Sequence, residues 1–540
     1  MKRRNFIKLT STASAISLLP SQVTASLNIA KSFLDCTISN RKLVLINLAG
    51  GNDGLNTIIP INYYDIYSNL RPSIKVPSSG TSSYINLDET LGESQQIGLH
   101  PALIGIKNLY DNNSLRIIQS VGYPSQNKSH FASTDIYSSA NDGNSWENGN
   151  NSGWIGRFME SYYADLIQNS YPLGVEIGSK SNSLGFHGES EHGLSLNING
   201  QDPSGFYSLI SGMAGEPPSN IPISDYGNEL EYIIQTDALS NMYSEAISNS
   251  FNNGQNAVSY PDTDISNQLK TVARLISGGL ESKVYMVKLA GFDTHFSQNQ
   301  AQNDILGNHN DLLTKLSAAI SAFMNDLKAM GLKNDVVGLT YSEFGRKAAE
   351  NGSLGTDHGE IAPMFVFGGP VNGGVSGFNP DLNEANEANG FQIQTVQYDY
   401  RDTLGTLLQD YLGADNLALD ATFFNNTLNQ SFSETKINDL IRSEFSVATN
   451  CYSNSLTNDI DNNKLFYVIN PVYNDLIIKT KNLNYSSFKY DLYDMNSKLV
   501  LKGTSTISQT ISVSHLINGI YILNISTDEK TETHRIIKRK

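Results

Sequence analysis

Cysteine is nearly missing from this 540-residue chain: there are two, Cys36 and Cys451. That rules out a disulfide framework and a thiolate zinc cluster, so any metal must be held by oxygen and imidazole. Positive charge is also scarce, with 37 Lys and Arg against 53 Asp and Glu and a formal charge of −16. Such a surface repels phosphate backbones and argues against a nucleic-acid partner. Tryptophan occurs twice, and no apolar run reaches the about 20 residues a membrane helix needs. The longest near the start, Leu9 to Leu19, is short and rich in Ser and Thr. Glycine is plentiful at 43 residues, as expected of a loop-rich chain.

The N-terminus reads Met1-Lys2-Arg3-Arg4-Asn5-Phe6-Ile7-Lys8, followed by that modest apolar run and a small-residue site at Val23-Thr24-Ala25. This resembles a twin-arginine export signal over residues 1–25, a route that carries folded proteins, often with a cofactor in place. The resemblance implies export across the inner membrane, with no transmembrane segment in the mature chain.

Five short apolar runs organise the main region: Leu43–Ala49, Leu115–Val121, Val284–Ala290, Val336–Tyr341 and Met364–Phe367. Each shows little alternation, as expected of strands buried on both faces of a largely parallel sheet. Between the third and fourth, Ile305, Leu312, Leu313, Leu316, Ile320, Phe323, Met324, Leu327 and Met330 recur at helical spacing. Strand, helix, strand predicts an α/β fold with helices on both faces and a ligand site at the carboxyl ends of the strands. The chain divides into a core at 41–435, a linker at 436–462 whose Asn/Ser-rich stretch has little to bury, and a C-terminal unit at 463–540. In that unit the segments Leu476–Lys479, Phe488–Tyr493, Lys498–Leu501, Thr510–Val513 and Ile520–Ile525 alternate, which predicts a small antiparallel β-sandwich.

Candidate chemistry gathers where the apolar runs end. The first runs into Gly50-Gly51-Asn52-Asp53-Gly54, which is either a plain turn or an Asp placed for a metal. The second leads to Ser129-His130, a nucleophile with its base or metal neighbour, or a helix cap supplied by Ser129 or Ser133. Phe292-Asp293-Thr294-His295 follows the third, and oxygen with imidazole suits Zn²⁺ or a similar divalent ion. The fourth is followed by Ser342-Glu343-Phe344-Gly345-Arg346 and then Gly355-Thr356-Asp357-His358-Gly359. Asp53, Asp293, His295, Glu343, Asp357 and His358 are the expected metal ligands because all follow strands on one edge. Glu343 with Arg346 also has a plain reading as a salt bridge. His187 and His192 lie in a polar stretch better suited to a surface loop than to a second metal, and His100 and His309 are expected to be structural. Asp399 and Arg401 are expected to pair and support the site.

These motifs, with Gly98-Leu99-His100-Pro101 and Gly153-Trp154-Ile155-Gly156-Arg157, resemble the domain of unknown function 1501 family, over most of residues 41–415. That family is grouped with the alkaline phosphatase and sulfatase superfamily. The resemblance implies an alkaline-phosphatase-like core and a metal-dependent hydrolase of phosphate or sulfate esters. Asp53 matches the superfamily's first metal-binding Asp, and Asp293 with His295 its strand-end pair. Asp357-His358 fits the later Asp-His pair, or Glu343 takes the Asp place and His358 is the last metal histidine. The superfamily nucleophile falls near Ser129. No Cys-x-Pro-x-Arg signature occurs, which excludes a formylglycine mechanism. Roughly the last 75 residues resemble the type A sorting domain of the type IX secretion system, which implies the secretion machinery as a partner and a secreted or cell-surface destination. A second reading is a non-catalytic surface protein of the same fold that binds a glycan or another envelope component.

Overall fold

The computed structural model describes residues 40–124, 126–143, 152–167, 169–178, 183–189, 195–198, 242–302, 304–423 and 436–447. In the C-terminal unit it describes 466–468, 472, 475–480, 487–494, 498–505, 508–517, 519–527 and 531–538. The export-signal motif lies outside these residues. The chain divides into two compact units, Met1–Ser161 with Asn169–Cys451, and Tyr162–Gln168 with Tyr452–Lys540.

The main unit is built on a nine-stranded sheet. Its strands are β1 (Lys42–Ala49), β2 (Leu115–Gly122), β3 (Gly174–Ile177), β4 (Ser195–Ile198), β5 (Val284–Ala290), β6 (Val336–Tyr341), β7 (Ala362–Gly368), β8 (Gly374–Ser376) and β9 (Tyr398–Asp399). The spatial order is β8-β2-β7-β6-β1-β5-β3-β4, with β9 beside the end of β2. Central β1 runs parallel to both neighbours, Leu43 standing opposite Val284 on one side and Val337 on the other. Only β7 runs the other way, antiparallel to β2 and to β6. The five apolar runs all become strands of this sheet, as their lack of alternation predicts.

Alternate residues of β1 serve opposite faces. Val44, Ile46 and Leu48 join the main core with Leu269, Val272, Leu313, Leu316 and Phe323. The latter five come from the helices Asp264–Ser277 and Asn308–Ala329, and the second is the one marked by helical periodicity. On the opposite face Leu45 lines an aromatic pocket with Tyr137, Trp154 and Tyr400. These belong to the helices α1 (His130–Ser139), α2 (Trp154–Tyr162) and α3 (Tyr400–Thr406). Helices therefore cover both faces. Beyond residue 435, Ile437, Leu440 and Ile441 are buried and Ile441 bridges Val371, so apolar contact holds the beginning of the expected linker against the main unit.

The C-terminal unit has an antiparallel sheet formed by Phe466–Val468, Asp475–Thr480 and Ser508–Ser512. A second comprises Phe488–Asp494, Leu499–Ser505, Gly519–Ser526 and Thr531–Lys538. Leu476, Ile478 and Ile511 of the first sheet share one core with Phe488, Leu492, Leu523 and Ile536 of the second. This is the sandwich that the alternation predicts. No helix among the described residues is long and apolar enough to cross a membrane.

Candidate metal centre

The carboxyl ends of β1, β2, β5 and β6 deliver their loops to one edge of the sheet. Because β7 runs backwards, its first residue also lies there, and the preceding Asp357-His358 loop reaches the same place. The turn after β1 is glycine for a steric reason. Gly50 has φ +122°, and a Cβ there would stand 2.3 Å from the Asp293 amide nitrogen. Only a bare backbone lets the β1 and β5 loops touch.

Arg346 locks these loops together. Its buried guanidinium donates to the carbonyls of Gly50, Gly51 (2.7 Å), Phe292 (3.0 Å) and Thr356 (2.8 Å) and to Asp293 Oδ1 (2.6 Å). One side chain thereby satisfies carbonyls from three loops, a task that needs the donor fork of arginine. Ser342 adds a tie, accepting from the Asn52 amide at 2.9 Å and donating to the Leu48 carbonyl at 2.7 Å.

Three imidazoles converge on Asp293 Oδ1. Nε2 of His358 is 3.2 Å from it, that of His295 3.3 Å and that of His130 3.4 Å, and the His295 and His358 Nε2 atoms are 2.9 Å apart. On the far side of each ring an acceptor faces Nδ1. Glu343 Oε1 takes His130 at 2.9 Å, Asp357 Oδ1 takes His295 at 3.1 Å, and the Lys128 carbonyl takes His358 at 2.8 Å. A carboxylate or carbonyl opposite Nδ1 selects the tautomer protonated there, so all three Nε2 lone pairs point inward. His130 Nε2 is buried and makes no hydrogen bond. Phe344 packs behind the rings of His130 and His358, with centroids 4.8 and 4.5 Å away.

The donor set and its spacing fit a divalent cation. His130, Asp293 and His358 bring one ligand atom each within 4.8 Å of one another, a spacing that could hold an ion, and His295 Nε2 lies beside them, 2.9 Å from His358 Nε2. Charge agrees with this. Burial pushes the Asp293 carboxyl up, but the hydrogen bonds from Arg346 and His358 outweigh it and hold the group at about 2, ionised at any working pH. The Glu343 hydrogen bond raises His130, whereas burial lowers His358.

Asp293, His295, His358 and His130 are thus brought together. Glu343 and Asp357 stand one step out, orienting two of the rings, and Glu343 Oε1 also accepts from the Gly50 amide at 2.8 Å. Asp53 is not part of this convergence. It is fully buried, Arg71 donates to both its oxygens at 2.6 and 2.9 Å, and Gln298 donates to Oδ2 at 2.6 Å. Burial alone would raise its pKa, but Arg71 lowers it. Ser129 occupies the N-cap position of α1, is exposed, and makes no capping hydrogen bond. Ser133 donates instead to the Asn127 carbonyl at 2.6 Å.

Sequence reasoning set His130 beside the nucleophile as its base or metal neighbour and left it out of the expected ligand set, and it overlooked Arg71. The inward-facing His130 Nε2 carries no sequence signature, and Arg71 lies in an unremarkable polar stretch. His100 and His309 are structural: both are buried, His100 Nδ1 accepts from the Ala102 amide, and His309 Nε2 meets Asn52 Oδ1 at 3.1 Å. Asp399 and Arg401 form the expected ion pair at 2.6 Å. His192 lies outside the described residues.

Among solved structures, the chain is similar to a protein in the alkaline phosphatase superfamily from Vibrio parahaemolyticus (9% identity, 94% of this chain and 87% of that one, TM-score 0.29). It is similar to a sulfatase from Pseudoalteromonas (12%, 66% and 68%, TM-score 0.27) and to a lipoteichoic acid synthase from Listeria monocytogenes (12%, 64% and 73%, TM-score 0.25). At these scores the fold rests on the strand order given above. No curated protein matches the chain. Residues 239–414 match the family described as Protein of unknown function (DUF1501), and residues 470–539 match the secretion system C-terminal sorting domain.

Proposed function

We propose that this protein is a metal-dependent hydrolase of phosphate or sulfate esters that acts outside the cytoplasm. The observation that carries the reading is the convergence of three imidazole Nε2 lone pairs on the ionised Asp293, each ring held by an acceptor on its far side. Such outer partners are the usual company of metal-bound histidine. His130, His295, His358 and Asp293 would hold the ion, with Glu343, Asp357 and the Lys128 carbonyl orienting the rings. A divalent cation there supplies Lewis-acid polarisation of the ester and offsets its charge. Ester chemistry is supported by the motif resemblance to the phosphatase and sulfatase superfamily and by the α1 N-terminus at the cluster, where backbone N–H groups favour an anion. Ser129 is exposed there and uncommitted to capping, placed to attack the ester or to orient a water for attack. Arg346, its donors already engaged, keeps Asp293 ionised and fixed in position. The sorting domain indicates secretion or attachment at the outer surface; delivery by the type IX machinery, after crossing the inner membrane on a twin-arginine signal, completes the proposal.

The test is metal analysis of the purified protein followed by turnover of phosphate and sulfate monoesters. Bound metal near one ion per chain and chelator-sensitive hydrolysis are expected. Protein that holds no metal, or holds metal and turns over neither class, would favour the non-catalytic binding protein instead.

A further inference from the structure

The cluster draws Asp293 and His295 from the loop after β5 and Asp357 and His358 from the loop before β7, so two segments must be held in register. Thr294 lies between the first pair and Thr356 directly before the second. Both are buried, and their hydroxyls donate to one acceptor, Gln298 Oε1, at 3.0 and 2.9 Å. The Thr356 amide also donates to the Thr294 carbonyl at 3.1 Å, and a Cβ on Gly355 would stand 2.4 Å from the carbonyl oxygens of Thr294 and His295. The two loops therefore touch backbone to backbone at the threonines, with the Gln298 amide oxygen joining their side chains.

The orientation of that amide is fixed. Gln298 Nε2 donates to Asp53 Oδ2 at 2.6 Å, and Asp53 is itself held by Arg71, whose other nitrogens reach the Lys347 carbonyl at 2.7 Å and the Ala348 carbonyl at 2.8 Å. An ionised carboxylate accepts and cannot donate, whereas an amide oxygen takes two hydrogen bonds, so with Asp53 on one side only the oxygen of Gln298 can face the two hydroxyls. We infer that Gln298 is a positioning residue of the metal centre: it clamps the β5 loop to the Asp357-His358 loop through Thr294 and Thr356, and Asp53 serves the centre by setting the amide rather than by ligation. This rests on the metal reading above and goes beyond it.

Affinity for Co²⁺, measured on metal-free protein by competition with a chelator, tests the clamp without any turnover. Thr294→Val with Thr356→Val keeps the shape of the side chains and removes both hydroxyls, and Gln298→Met removes the acceptor. Each should weaken Co²⁺ binding about tenfold or more, the scale for partners lying outside the ligands themselves, and change the visible Co²⁺ spectrum, while excess Co²⁺ still fills the site. Thr294→Ser with Thr356→Ser restores the donors and should match the wild type in both. A valine pair that binds as tightly as the wild type, or a serine pair that loses as much as the valine pair, would overturn the inference. Where Gln298→Met does not fold, the valine pair carries the test. NMR of the imidazoles in the metal-free protein separates the clamp from the metal reading. The valine pair should shift the His295 and His358 signals and the serine pair should not; unshifted signals in the valine pair also overturn the clamp. Wild-type protein that binds no Co²⁺ removes the metal reading instead, and the imidazole signals then decide the clamp alone.

Discussion

His295 and His358 hold their Nε2 atoms 2.9 Å apart, while Asp357 and the Lys128 carbonyl take the opposite nitrogens of the two rings. Two imidazoles tethered in this way turn their Nε2 atoms toward each other, a contact that is favourable only with a proton or a cation between them. With Asp293 and His130 beside them, this is where the proposed cation would sit.

Replacing Asp293 and His295 together by Ala should remove the bound metal while the fold survives, because both side chains are partly exposed and lie beyond the strand. Asp357→Asn keeps the ligands but weakens the orientation of His295, and should cost about 10–100-fold in metal affinity. Elemental analysis and competition with a chelator measure both. Full occupancy in the double variant would remove the assignment.

Asp53 and Arg71 pair with no solvent access at either side chain. Asp53→Ala leaves a buried guanidinium uncompensated and should destabilise by roughly 3–5 kcal/mol in denaturant unfolding. The fraction that folds should keep its metal. A stable variant lacking metal would instead make Asp53 a ligand, as its position after β1 suggests from sequence.

Ser129→Ala should abolish ester turnover and leave stability within about 0.5 kcal/mol, because the hydroxyl makes no capping bond to lose. A destabilised variant with full activity would return Ser129 to a capping role.

Asp402 is lifted to about 7, first by burial and then by the Asp399 charge. A carboxyl raised on folding stabilises below its ordinary pKa of 3.8, and that contribution disappears as pH climbs through 7. Asp402→Asn retains an acceptor for the Asp399 amide and removes the titration. Its stability relative to wild type should therefore rise between pH 4 and 7. Parallel curves from thermal unfolding across that window would show that Asp402 is not responsible.

Removing residues from about 463 onward should leave a folded, metal-binding core that is no longer delivered to the surface. Cell fractionation and metal analysis of the truncated chain provide the check, and surface delivery of the truncated form would refute the sorting role.

The sequence by itself determined the strands and the two-unit plan, since both follow from local patterning. Runs such as Val284–Ala290 and Val336–Tyr341 can be stable only where both faces are covered, and the alternation beyond residue 475 suits a sheet with one buried face. Candidate ligands were legible as polar residues following those runs. Tertiary structure decided which of them meet. The reversal of β7, which brings the Asp357-His358 loop to the common edge, depends on pairing with β2 and β6 far away in sequence. Asp53 and Asp293 look alike in the chain, each at a loop after a strand. Arg71 buries one in an ion pair, and Arg346 holds the other facing three imidazoles, because a side chain's chemistry is set by the partners that packing supplies from distant segments.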